Sequence, residues 1–127
     1  MNILIIDNDA VDTSIFCEIL KDIYPSANCL VEVDCLSAVA TFQKMEVPAF
    51  IFLDGHMTPV GGLQCLWELK KLIDPEKTKI VIYSDVLSPR KKEEYKALGV
   101  YDFAVKTGDL AELKSRLKRA IADFTPS

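Results

Sequence analysis

Five short apolar runs, each separated from the next by a segment of helical spacing, constrain this 127-residue chain more than any other feature. The runs are Ile3-Leu4-Ile5-Ile6, Cys29-Leu30-Val31, Phe50-Ile51-Phe52-Leu53, Ile80-Val81-Ile82-Tyr83 and Phe103-Ala104-Val105. The first, third and fourth are apolar throughout, as strands covered on both faces must be. The second alternates Cys29, Val31 and Val33 with Glu32 and Asp34, which predicts a more exposed strand. Strand–helix alternation repeated five times predicts an α/β fold: one doubly wound, five-stranded parallel (βα)5 sheet with right-handed crossovers and helices on both faces.

The intervening segments carry their own start and stop signals. Val11, Ile15, Phe16, Ile19, Leu20 and Ile23 form one apolar stripe, with Asp9 as the expected N-cap and Pro25 as the stop. Ser37 is the expected cap of a second helix running through Met45. Leu63, Leu66, Leu69 and Ile73 mark a third, closed by Pro75. Ser88-Pro89 supplies an N-cap and first-turn proline for a fourth, which stops at Gly99. Leu110, Leu113, Leu117 and Ile121 mark a fifth, with Lys118 and Arg119 in its last turns, where the helix dipole favours cations.

Apolar residues at 50% and charged residues at 27% exclude a disordered or low-complexity chain. Fifteen basic against nineteen acidic residues leave a net charge of −4, so no nucleic-acid or anionic-membrane partner is expected from general electrostatics. No apolar run approaches the roughly twenty residues of a membrane span. No basic, cleavable leader precedes Asp7, which points to the cytoplasm. Cys17, Cys29, Cys35 and Cys65 form no CxxC pair, and His56 is the single histidine; a zinc site is unsupported and reduced, mostly buried thiols are expected.

In a sheet of this kind the ligand site lies at the carboxyl ends of the strands. Strand one runs into Asp7-Asn8-Asp9, strand three into Asp54-Gly55-His56, strand four into Ser84-Asp85 and strand five into Lys106-Thr107. Such a set suits phosphoryl transfer to a carboxylate. Mg²⁺ takes one or two carboxylates plus waters and phosphate oxygens. Asp7 and Asp54 could supply them, with the backbone carbonyl of His56 completing the protein share. An Asp beside the metal can act as nucleophile and become an aspartyl-phosphate. Lys106 would balance phosphoryl charge, and the Ser84 hydroxyl would hydrogen-bond a phosphoryl oxygen.

With these residues in register, the chain resembles a response regulator receiver domain of two-component signalling, from Asn2 to about Phe124. Asp54 falls at the phosphoacceptor position, followed by Met57 and Gly62 as in the family's D-x-x-M-P-x-x-x-G loop. Ser84 stands thirty residues later at the switch Ser/Thr position, Lys106 at the conserved-type lysine, and Phe103 at the aromatic that changes rotamer. The resemblance implies a flavodoxin-like (CheY-like) sheet of strand order 2-1-3-4-5 and a single receiver domain over 1–124 with a short tail over 125–127. It implies Mg²⁺ held by Asp7, Asn8, Asp54 and the His56 carbonyl. The implied phosphoryl donor is a sensor histidine kinase or phosphotransfer protein, meeting the first helix and the loop after Asp54. A downstream protein would meet the fourth helix, fifth strand and fifth helix. The expected state is a stand-alone monomer or weak dimer, a signalling domain rather than an enzyme.

Several positions depart from the family pattern. Asn8 replaces the second acid of the metal-binding pair, which predicts weaker Mg²⁺ affinity, while Asp9 serves as helix cap. Thr107 replaces the proline after the lysine; a cis bond there would cost about 2.5–4 kcal/mol, so a trans bond is expected. Thr58, with Pro59 one step later, alters the loop turn. Asp85 would repel phosphate if it faced inward, so it is expected to face outward. His56 and Val86 occupy positions that adjust dephosphorylation rate in the family. Two rival readings follow. One is a pseudo-receiver, an interaction module not regulated by phosphate. The other is a haloacid-dehalogenase-type phosphatase, in which Asp7 would be phosphorylated and Asp9 would be the general acid; that reading requires a later strand with paired acids. A flavin-binding relative would need Gly and hydroxyl residues after strand one.

Overall fold

The structure is a computed structural model that describes residues 1–55, 62–85, 87–106 and 109–122. Its elements are β1 (Asn2–Ile6), α1 (Ala10–Ile23), β2 (Asn28–Glu32), α2 (Cys35–Lys44), β3 (Phe50–Leu53), α3 (Gly62–Lys70), β4 (Lys79–Ser84), α4 (Pro89–Ala97), β5 (Asp102–Val105) and α5 (Leu110–Ala122). All strand pairs are parallel, and the sheet order is β2-β1-β3-β4-β5. The flavodoxin-like order is as the resemblance implied.

Alternation along the strands divides the core in two. Ile3, Ile5, Phe50, Phe52, Val81 and Tyr83 point to one face, where Phe16 and Leu20 of α1 and Leu113, Leu117 and Ile121 of α5 cover them. Leu4, Ile6, Ile51, Leu53, Ile80 and Ile82 point to the other, against residues of α2, Leu66 and Leu69 of α3 and Tyr95 of α4. β1, β3 and β4 are buried almost throughout, whereas the edge strand β2 is half-buried or exposed, as its alternating sequence predicts.

Asp9 caps α1, its carboxylate accepting from the Val11 and Asp12 amides. Ser88 caps α4 ahead of Pro89, and Gly99 follows that helix at φ +86°. At α2 the sequence expectation is corrected. The cap is Asp34, whose Oδ1 accepts from the Ser37 amide at 2.7 Å, so Ser37 lies inside the helix. An ionised carboxylate outcompetes a hydroxyl at a helix N-terminus, because it also meets the helix dipole.

The cysteines require a second correction. Rather than free thiols, Cys17 of α1 pairs with Cys29 of β2, and Cys35 of α2 with Cys65 of α3. Their Cα separations of 6.1 and 5.5 Å fall within the disulfide range. The fold creates these pairings, and connectivity is not readable from separations of 12 and 30 residues. Among the described residues no helix is long and apolar enough to cross a membrane.

Candidate functional site

The backbone ladder continues one residue past the strands and fixes the site. The Asp54 amide donates to Ile6 O at 3.0 Å, the Asp7 amide to Glu32 O at 3.0 Å, and the Lys106 amide to Ser84 O at 2.7 Å. Because Ile6 pairs with Leu53 and Ser84 with Val105, the next residues stand side by side at the carboxyl edge of the sheet. Asp7, Asp54, Ser84 and Lys106 therefore lie together at that edge.

The Lys106 ammonium is the electrostatic centre of this group. Its Nζ lies 2.7 Å from Asp7 Oδ2, 3.2 Å from Asp12 Oδ2 and 3.5 Å from Asp54 Oδ2, and 5.5 Å from the centre of the Tyr83 ring. Burial alone would lower the pKa of this 13%-exposed side chain, but Asp7, Asp54 and Asp12 together outweigh it and raise the pKa. Asp7 is 1% exposed, and burial raises its pKa, opposed by Lys106 and by the Asp9 amide that donates to its Oδ1 at 2.9 Å. No hydroxyl or amide among the described residues donates to Asp7 Oδ2. The Ser84 hydroxyl, 2% exposed, also has no hydrogen-bond partner among them. Buried polar groups are seldom left so. An oxygen-rich group entering the site would take the Ser84 hydrogen bond, and a hard cation would compete with the Lys106 ammonium for Asp7 Oδ2.

Asp85 is exposed and lines a cavity shared with Asp12, Tyr83 and Lys106. Asn8 is exposed beside Asp7. Phe103 is half-buried, with its ring edge-on to Tyr95 at 6.4 Å. His56, Met57, Thr58, Pro59, Val86 and Thr107 lie outside the described residues, and with them the His56 carbonyl and the peptide bond before Thr107. The carboxylate of Asp9 is engaged as a helix cap, with its pKa lowered mainly by the Asp12 amide, which leaves it poorly suited to the general-acid role in the phosphatase reading.

Two residues of the site were not singled out from the sequence. Asp12 looks there like an ordinary acidic residue of a first helical turn, and only the fold shows it reaching Lys106. Tyr95 left a fainter signal, as the sole aromatic in the otherwise polar segment PRKKEEYKA.

Residues 3–118 match the family model of the response regulator receiver domain. The chain belongs to that family. Receiver domains are signalling domains of two-component systems. They interact in general with histidine kinases or phosphotransfer proteins and bind Mg²⁺. The fold is similar to that of the chemotaxis protein CheY4 of Vibrio cholerae (24% identity, 94% of this chain and 97% of that one, TM-score 0.80). It is also similar to the phosphorylated cyanobacterial phytochrome response regulator RcpA (20% identity, 99% and 98%, TM-score 0.83). A third similar structure is the Mn²⁺-bound response regulator Rcp1 (21% identity, 93% and 89%, TM-score 0.78). No curated protein sequence matches the chain.

Proposed function

We propose that this receiver accepts a phosphoryl group on Asp54. The observation that supports this most is the Lys106 ammonium 3.5 Å from Asp54 Oδ2 beside a buried Ser84 hydroxyl that has no hydrogen-bond partner among the described residues. An Asp54 carboxylate oxygen attacks the phosphorus of a phosphohistidine on a kinase or phosphotransfer protein. The P–O bond forms as the P–N bond breaks, and the imidazole leaves with its electron pair. Lys106 then pairs with one phosphoryl oxygen and Ser84 donates its hydrogen bond to another.

The residues present fit Mg²⁺: two neighbouring carboxylates at adjacent strand ends, Asp7 and Asp54, suit a cation that takes few protein ligands. Asp7, Asn8, Asp54 and the His56 carbonyl would hold it. When bound, Mg²⁺ neutralises charge on the transferring group. Asn8 brings an oxygen without a charge, which weakens affinity. The arriving group adds about two negative charges. Ser84 moves toward it, Phe103 turns inward, and the surface of α4, β5 and α5 shifts toward the form a downstream protein recognises. The chain works in the cytoplasm.

Acetyl phosphate with Mg²⁺ should label the wild-type chain, and both EDTA and Asp54→Asn should abolish the label. Retained labelling of the Asp54→Asn chain, or a label mapped to Asp7, would overturn the assignment.

A further inference from the structure

Helix α4 rests on the sheet through one residue. In the segment Pro89–Ala97 only Tyr95 is buried, at 0% exposure, and it is the largest fully buried side chain described. Its hydroxyl donates to Gly55 O at 2.9 Å, within the interior and forty residues away in sequence. Gly55 directly follows Asp54, and its surroundings are already full. A Cβ there would stand 3.2 Å from Ile82, 3.2 Å from Ser84 Oγ and 3.3 Å from Leu87. The Asp54–Gly55 segment is thus packed against the Ser84 hydroxyl on one side and tied by its carbonyl to α4. The tyrosine ring meets Phe103 at 6.4 Å between centres and 71° between planes.

Burial, followed by the charge of Asp54, lifts the phenol to about 12, so the hydroxyl remains a donor throughout the physiological pH range. A buried carbonyl that loses such a donor is costly to leave unpaired. Any movement of the Gly55 peptide is therefore felt by Tyr95, and through its ring by Phe103 and α4.

We propose that Tyr95 is a positioning residue of the Asp54 site, whose hydroxyl holds the Gly55 carbonyl and whose ring couples that carbonyl to Phe103 and α4. This rests on the phosphoacceptor reading above and adds to it the route by which α4 learns the state of Asp54. Phe103 is then one end of a relay rather than a lone switch.

The test is Tyr95→Phe in the full chain, which keeps the ring and its packing and removes one oxygen. In the free protein, the variant should move the carbonyl ¹³C resonance of Gly55 and speed amide exchange of α4 about tenfold. Beryllofluoride with Mg²⁺ should then perturb the Asp54 and Ser84 amides of both chains. The response of Phe103 and the α4 amides should fall at least fivefold in the variant. An unmoved Gly55 carbonyl, unchanged α4 exchange, or a full α4 response to the mimic in Tyr95→Phe would each overturn the proposal. A wild-type chain indifferent to the mimic would instead refute the phosphoacceptor reading. The free-state carbonyl and exchange measurements would then still decide whether Tyr95 holds Gly55.

Discussion

On one face of the sheet, α1 and α5 press Phe16, Leu20, Leu113, Leu117 and Ile121 onto the strands, while on the other α4 contributes Tyr95 alone. The first face has a stacked and edge-on aromatic core, with Phe16 4.7 Å from Phe52 and 5.2 Å from Tyr83, and an ion pair between Lys114 and Asp22 ties α5 to α1. The second is divided: α2 and α3 share a disulfide, but neither cysteine pair involves α4. Apart from Tyr95, α4 displays charged side chains, including an exposed Arg90–Glu94 pair at 3.7 Å. Such pairs contribute little. The difference teaches where a conformational signal can go. Free energy is concentrated under α1 and α5, so a small perturbation at the carboxyl edge moves α4 first.

The sharpest way to break that comparison is to truncate one side chain on each face. Phe16→Ala should cost about 3–5 kcal/mol, because it empties the centre of the aromatic cluster. Arg90→Ala should stay within about 0.5 kcal/mol. Urea unfolding checks both. A Phe16→Ala loss below about 1 kcal/mol would remove the asymmetry.

Cross-linking separates the faces next. With the cysteines oxidised, opening Cys35–Cys65, which spans 30 residues, should cost roughly 3.5 kcal/mol, and opening Cys17–Cys29, which spans 12, roughly 3 kcal/mol. Alkylation with and without reductant counts the bonds, and the unfolding midpoints of the two forms give the cost. Neither reduction should change amide exchange in α4 as much as it changes exchange in the cross-linked elements.

How far the sequence reveals this division depends on what kind of pattern carries it. Strands, helices, sheet order and the Asp7–Asp54–Ser84–Lys106 set were readable because each rests on local periodicity or on a residue at a strand end. Asp12 and the cysteine pairs were not, since each depends on which helix faces which strand end after folding. Tyr95 is intermediate: one aromatic among charges marks a buried anchor, but its bond to Gly55 joins helix α4 to the turn after β3, forty residues away in sequence. Asp34 prevailed over Ser37 as the α2 cap by chemistry that the position alone leaves open.

An alkaline titration sharpens the role of the α4 anchor. Tyr95 in the folded chain keeps its proton up to about 12, whereas the unfolded chain releases it near 10.0. The folded state then binds more protons across that window, and stability falls as pH rises through it. Integrated between pH 10 and pH 12, a shift of that size corresponds to about 2 kcal/mol. Wild type should therefore lose about 2 kcal/mol more than Tyr95→Phe between pH 10 and pH 12, with Tyr83 shifting alike in both chains. Equal losses would mean that Tyr95 is not held in a buried, hydrogen-bonded state.

Asp12 should give the smallest effect and bears on the rigid face itself. It lies in the first turn of α1, and its carboxylate, 37% exposed, shares Lys106 with two buried acids. Removing its charge by Asp12→Asn leaves Asp7 and Asp54 in place, so Lys106 stays paired. Solvent screening limits the stability change to under about 1 kcal/mol. The functional change should have the opposite sign. An incoming phosphoryl group must share the ammonium with whatever already holds it, so one competitor fewer should tighten Mg²⁺-dependent beryllofluoride binding up to about threefold, or about 0.6 kcal/mol. Weaker binding in Asp12→Asn would mean that this carboxylate helps build the metal site in place of the charge Asn8 lacks. In that case α1, the more firmly packed helix, would also take part in the response.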